Sequence, residues 1–185
     1  TPTGQAATLH ENATTAHYAL KLRTGTDSLQ TIMNRFKPED YDEWVGVTHL
    51  LLDEISMFDA AIVEVINAVL QHLKKRPAEP FGGCILVGVG DFLQLKPVKA
   101  KHLFFDADII RSMIDGQTLG IYYLSQPIRY ANPAWFELLC RVRIGKPNSS
   151  DLSRLRARTK TLGEWCELKG WTEPTMPVLA CPKLK

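Results

Sequence analysis

The chain has 185 residues, 45% hydrophobic and 23% charged, a composition that excludes a fibrous or disordered protein and leaves room for one domain with a short appendage. Lys and Arg number 22 against 20 Asp and Glu, so net charge alone does not announce a nucleic-acid partner. The longest apolar runs, residues 50–52 and 84–89, fall far short of the roughly 20 residues of a membrane-spanning helix, and no membrane association is expected. Cys84, Cys140, Cys166 and Cys181 form no CxxC pair and read as reduced, mostly buried thiols of an intracellular protein, nuclear, cytoplasmic or mitochondrial, rather than as zinc ligands. No basic-then-apolar leader is visible at Thr1-Pro2-Thr3-Gly4, which predicts a processed chain or a piece of a longer one.

In chain order, a Gly-containing turn near residue 25 is followed by a short helix over residues 28–36, and residues 47–52 form a β-prone run that ends on Asp53-Glu54. Asp59 is a helix N-cap. Ile62, Ile66, Val69 and Leu73 keep a helical stripe to about residue 75, where Lys74, Lys75 and Arg76 suit the C-terminal dipole and Pro77 stops the helix. Residues 84–89 are a second apolar strand, ending on Gly90-Asp91. Strand, crossover helix and strand make a βαβ unit, hence an α/β fold with a parallel sheet buried on both faces. Residues 107–114 read as a helix, 120–124 as a short strand, 133–143 as a helix closed by Gly145-Lys146-Pro147-Asn148, and the basic segment after it as weakly helical. Residues 178–181, between Pro177 and Pro182, read as one more strand.

Charge is unevenly placed. Residues 39–64 hold eight carboxylates and no Lys or Arg, whereas residues 141–160 hold seven basic residues and one Asp. For the basic stretch, a solvated surface and a polyanion-facing role both fit. Two strands deliver acids to one sheet edge, where open α/β sheets bind their ligands. An Asp ending an apolar strand suits Mg²⁺, and a following Glu suits activation of the water that attacks a γ-phosphate; acidic caps on the next helix are the plain alternative.

Asp53-Glu54-Ile55-Ser56-Met57 and Gly90-Asp91-Phe92-Leu93-Gln94-Leu95-Lys96-Pro97-Val98 closely resemble motifs II and III of the superfamily 1 group B DNA helicases, above all the petite-integration-frequency and RecD-like type. Thr3-Gly4-Gln5-Ala6-Ala7 is similar to motif Ia, Thr14-Thr15-Ala16-His17 to the Thr-x-His segment after it, and Leu124-Ser125-Gln126-Pro127-Ile128-Arg129 to motif IV. Residues 136–145, ending Arg143-Ile144-Gly145, are similar to the family's Leu-x-x-Ile-Arg-x-Gly stretch, so the resemblance runs in family order to about Gly145. It departs at Lys96, where the family usually has Pro, and at Tyr130, where a Gln commonly follows the motif IV Arg. No G-x-x-x-x-G-K-[ST] occurs; in the family that phosphate loop lies just upstream of motif Ia.

The resemblance implies a RecA-like P-loop NTPase fold, incomplete at its N-terminus. Residues 1–160 would be the first motor domain, with a short wedge-like insertion at about 24–44, and residues 161–185 the connection to a second motor domain. It implies an ATP-dependent 5′-to-3′ DNA helicase using ATP and Mg²⁺ on single-stranded and 5′-tailed duplex DNA, inactive as this piece alone; a nucleic-acid-binding or regulatory module that kept the fold and lost ATP hydrolysis is the alternative. Asp53 would hold Mg²⁺, Glu54 would be the general base, Gln94 would read the γ-phosphate and Arg129 would act as an arginine finger. For Gln94 a loop amide, and for Arg129 a surface ion pair, are the structural alternatives. Thr3, Gly4, Thr15, His17, Lys96, Pro97 and Val98 would contact single-stranded DNA, with His17 open to a purely structural role. Phe92, Phe104 and Phe105 suit either core packing or base stacking.

Overall fold

The computed structural model describes residues 1–8, 11, 13–23, 27–94, 96–97, 100–157 and 167. The chain divides into two units, Thr1–Ser125 and Gln126–Lys185. Val98, residues 24–26 of the expected insertion, and the expected strand at 178–181 lie outside the described residues.

In the first unit, α1 (Gly4–Ala7), α2 (Ala16–Ala19), α3 (Leu29–Met33) and α4 (Pro38–Gly46) precede strand β1 (His49–Leu52). Helix α3 starts where Ser28 accepts the Thr31 N–H, and it is shorter than the sequence suggests. Helix α4 was not foreseen in the insertion, although Pro38 at its first turn and Glu39 and Asp40 behind it are a start signal. Its C-terminal carbonyls are closed from outside: Lys74 Nζ donates to the oxygens of Trp44, Val45 and Val47 at 3.3, 3.1 and 2.6 Å.

Helix α5 (Ala60–Leu73) begins at Asp59, whose Oδ1 accepts the Ile62 N–H at 2.8 Å. Its expected stripe is real, since Ile66, Val69 and Leu73 have no exposure and pack with Leu52, Phe58 and Phe81 in one core. A 3-10 turn, Pro80–Gly83, leads into β2 (Ile85–Gly88), which pairs in parallel with β1 in the register His49 to Ile85 and Leu52 to Gly88. Asn67 of α5 fixes that entry by accepting the Phe81 N–H at 2.7 Å. The βαβ reading is therefore correct, with two corrections. Both strands are shorter than their apolar runs, and the sheet is not covered on both faces: Leu51 is 70% and Ile85 58% exposed, because only two strands pair among the described residues. Residues 120–124 form no strand. Tyr122, Tyr123 and Leu124 are about nine-tenths exposed and find no backbone ladder to join.

The unit closes with a 3-10 turn, Phe104–Asp106, and α6 (Asp108–Asp115), whose first turn is held by Glu64 of α5 accepting the Ile109 N–H at 2.9 Å. Phe92, Phe104 and Phe105 pack on one another, with Phe92 and Phe105 centroids 4.6 Å apart and Phe104 buried, so the core reading of these rings holds.

The second unit contains α7 (Pro133–Arg143) and α8 (Ser149–Arg156). Asn132 and Asn148 cap them, and Gly145 supplies the positive φ of 71° that ends the first. Buried Asp151 accepts Arg141 Nε and Nη2, each at 2.7 Å, which ties the two helices together.

Candidate functional site

The parallel register carries Asp53-Glu54 and Gly90-Asp91 to the same end of the sheet. Beyond the last paired residues the two chains remain joined: Val89 N–H donates to Leu52 O at 2.8 Å, and Ile55 N–H donates back to Val89 O at 3.0 Å. Glu54 bridges strand and 3-10 turn in the left-handed region, φ 54° and ψ 46°, a conformation that costs free energy for a side chain other than Gly and that recurs at functional turns. Asp53 Oδ1 accepts the Glu54 N–H at 2.9 Å and fixes the local geometry of the pair. Both carboxylates are half-buried, and Asp53 borders a cleft of about 750 Å³ walled by Leu20, Trp44, Leu50 and Val89.

The second acidic strand end forms a tight loop. Asp91 Oδ1 accepts the Leu93 N–H at 3.0 Å, Asp91 O accepts the Gln94 N–H at 2.9 Å, and Asp91 Oδ2 accepts Gln94 Nε2 at 3.2 Å. A carboxylate accepts only from the amide nitrogen, so this contact also sets which end of the Gln94 amide points away. At Gly90 the loop lies directly on the first motif: a Cβ there would sit 2.8 Å from Ile55 N and 3.3 Å from Ser56 N.

The residues assigned to DNA fall elsewhere. His17 and Pro97 border one groove of about 310 Å³ together with Pro2, Met57, Phe58 and Asp59. Thr15 caps α2 by accepting the Tyr18 N–H at 3.1 Å, so its oxygen has a structural task and its hydroxyl hydrogen remains to donate. Thr3 accepts the Ala7 N–H through its carbonyl at 3.2 Å, and Gly4, which opens α1, and Lys96 are exposed. Arg129 belongs to the second unit, is exposed, and has no ion-pair partner among the described residues. Sequence reasoning saw Asp91 as a strand-end acid but not as the holder of Gln94; the Asp-x-x-Gln spacing was the available signal. It also passed over Ser56.

The residues present suit Mg²⁺. Asp53, half-buried at the end of its strand, offers a hard oxygen, the minimal protein contribution for an ion that keeps water and phosphate oxygens around it.

A family model described as PIF1-like helicase matches residues 1–133, most of the chain. The chain belongs to the PIF1-like helicase family. The ATP-dependent DNA helicase PIF1 of Danio rerio is 39% identical over 149 residues, which cover 78% of this chain and 22% of that protein. The human protein of the same description is 34% identical over 168 residues, covering 84% and 25%. The chain thus spans about a quarter of the length of these curated relatives. Among solved structures, Bacteroides Pif1 bound to single-stranded DNA superimposes with a TM-score of 0.70 at 25% identity, over 86% of this chain and 39% of that one. A Bacteroides Pif1 complex with ADP-AlF3 and single-stranded DNA gives 0.67 at 25% identity, over 82% and 37%. These PIF1-like neighbours have the RecA-like α/β architecture expected from the motifs.

Proposed function

We propose that residues 1–160 are the larger part of the first motor domain of an ATP-driven 5′-to-3′ DNA helicase, acting on single-stranded and 5′-tailed duplex DNA inside the cell. A phosphate-loop segment upstream and a second motor domain reached through residues 161–185 complete the machine. The observation that carries this reading is the junction of the two acidic strand ends, where Ile55 N–H donates to Val89 O at 3.0 Å and the parallel register brings Asp53-Glu54 and Gly90-Asp91 to one end of the sheet. ATP hydrolysis needs a water-activating carboxylate, an oxygen ligand for the metal, and a group that senses the γ-phosphate. Glu54, Asp53 and Gln94 are assigned those tasks. Mg²⁺, when bound, neutralises developing phosphate charge. Glu54 takes the proton of the attacking water through its carboxylate, and the Asp53 contact to its backbone holds it in place. Arg129 supplies positive charge to the transferring phosphoryl group.

On the nucleic-acid side, Thr3, Gly4, Thr15, His17, Lys96, Pro97 and Val98 line the path of one strand. The groove shared by His17, Pro97 and Pro2 supports this, since apolar proline rings next to an imidazole suit base faces. The test is Glu54→Gln in the intact protein, with nucleotide binding retained and most DNA-stimulated turnover lost. Unchanged turnover removes Glu54 from the mechanism. The isolated 185-residue chain is expected to bind ATP weakly and not to hydrolyse it; sub-millimolar affinity by titration calorimetry contradicts this.

A further inference from the structure

Ser56 is 2% exposed, and its hydroxyl oxygen has no hydrogen-bond partner among the described residues. Buried hydroxyls in native proteins are nearly always paired, so an orphan calls for a reason. The neighbouring backbone donors are satisfied: Ile55 N–H goes to Val89 O, Met57 N–H to Glu54 O at 2.9 Å, and Phe58 N–H to Ile55 O at 3.2 Å. Alanine would keep this turn and avoid the burial of an unpaired oxygen. Two further features surround it. Glu54, two residues earlier, is held in the left-handed region, and the Gly90 backbone lies so close that a Cβ would be 3.3 Å from the Ser56 nitrogen. One turn therefore combines backbone strain, an orphan hydroxyl and a close approach of the loop that carries Gln94.

We propose that Ser56 is a positioning residue for hydrolysis, whose hydroxyl is unpaired in the conformation seen here and donates to a backbone carbonyl of the Gly90-Asp91 segment in the hydrolysis-competent conformation. That bond would fasten the turn bearing Glu54 to the loop bearing Gln94, so that base and sensor reach the nucleotide in fixed register. Ser56 acts through these two residues and does not itself touch the reacting atoms. The inference rests on the functional reading above.

A side chain that is costly in one state and useful in another gives opposite signs in two measurements. In the intact protein, Ser56→Ala is expected to raise the melting temperature without nucleotide by roughly 2 to 4 °C, because an unpaired buried oxygen is removed. The same variant is expected to lower DNA-stimulated kcat at least tenfold with KM for ATP nearly unchanged. A kcat within twofold of wild type overturns the proposal, as does a parallel fall of kcat and melting temperature, which marks a packing role. Glu54→Gln, run alongside, separates the two levels: if it too leaves turnover intact, the functional reading fails, whereas loss of turnover in Glu54→Gln with normal Ser56→Ala turnover sinks only the role of Ser56.

Discussion

Gln94 Nε2 donates to Asp91 Oδ2 at 3.2 Å, so the residue assigned to sense the nucleotide is held by the acid that ends its own strand. The same carboxylate accepts the Leu93 N–H, and the Gln94 amide is thereby fixed in position and polarity before any ligand arrives. The second amide hydrogen is left for a phosphate oxygen, and Oε1 for a water hydrogen.

If Asp91 acts only through Gln94, the two substitutions are not additive. Asp91→Asn keeps an oxygen for the Leu93 N–H and replaces the acceptor facing Gln94 with a donor, which turns the Gln94 amide over. Each of Asp91→Asn and Gln94→Ala is expected to lower DNA-stimulated ATPase by about tenfold, about 1.4 kcal/mol, and the double variant should be no slower than the worse single one. Steady-state turnover of the four proteins checks this, and multiplicative losses would show that the residues act independently.

Gly90 and Gly4 make a contrasting pair. An Ala at Gly90 places its Cβ 2.8 Å from Ile55 N, against backbone that is itself bonded to Val89, so nothing can yield without opening the strand ends. Gly90→Ala should destabilise the fold by roughly 1–3 kcal/mol in urea titration. At Gly4 nothing lies within 4 Å, and Gly4→Ala should stay within about 0.5 kcal/mol of wild type.

The parts of the fold legible in the sequence were those that a short window encodes. Helix α5 could be read because Asp59, an apolar stripe and Pro77 mark start, face and stop, and α7 because Asn132-Pro133 and Gly145 bracket it. Helix α4 was hidden by its acidic surface, none of whose residues is fully buried, and it depends on Lys74 from thirty residues away to close its end. Residues 120–124 have β-prone composition, but composition supplies no neighbour to pair with. At the site, residue types in order were enough to nominate Asp53, Glu54 and Gln94. The left-handed Glu54, the Gly90 contact and the unpaired Ser56 are products of tertiary packing, invisible to a motif.

Acid should loosen the second unit through Asp151. Its hydrogen bonds from Arg141, and then from the Asn148 backbone, lower its pKa from 3.8 to about 2. A folded-state value below the unfolded one gives stability that is complete above about pH 4 and is lost as pH falls through about 2. Asp40, bonded to Lys21, and Asp106, bonded to the Leu103 backbone, are shifted down as well and add to the loss in the first unit. Melting temperatures from pH 5 to pH 2 should therefore fall, and in Asp151→Asn the part of that slope belonging to the second unit should flatten. An unchanged slope would mean that the Arg141 contact forms equally in the unfolded chain.

The groove shared by His17 and Pro97 separates two ways of holding DNA. Its described walls are mostly apolar, and the one carboxylate among its described residues, Asp59, disfavours a phosphate, so a strand passing here should turn a base toward the groove and keep its backbone outside, near exposed Lys96. Stacking does not release counterions, whereas a phosphate contact does. His17→Ala should therefore weaken single-stranded DNA binding by about fivefold, about 1 kcal/mol, by the same factor at 50 and 200 mM salt, with no change in melting temperature because His17 is exposed. Lys96→Ala should instead weaken binding at low salt most and reduce the slope of log K against log salt by about 0.7. Fluorescence anisotropy with a labelled oligonucleotide across that salt range distinguishes them: a salt-dependent loss in His17→Ala would reassign the imidazole to phosphate and leave the groove without a base.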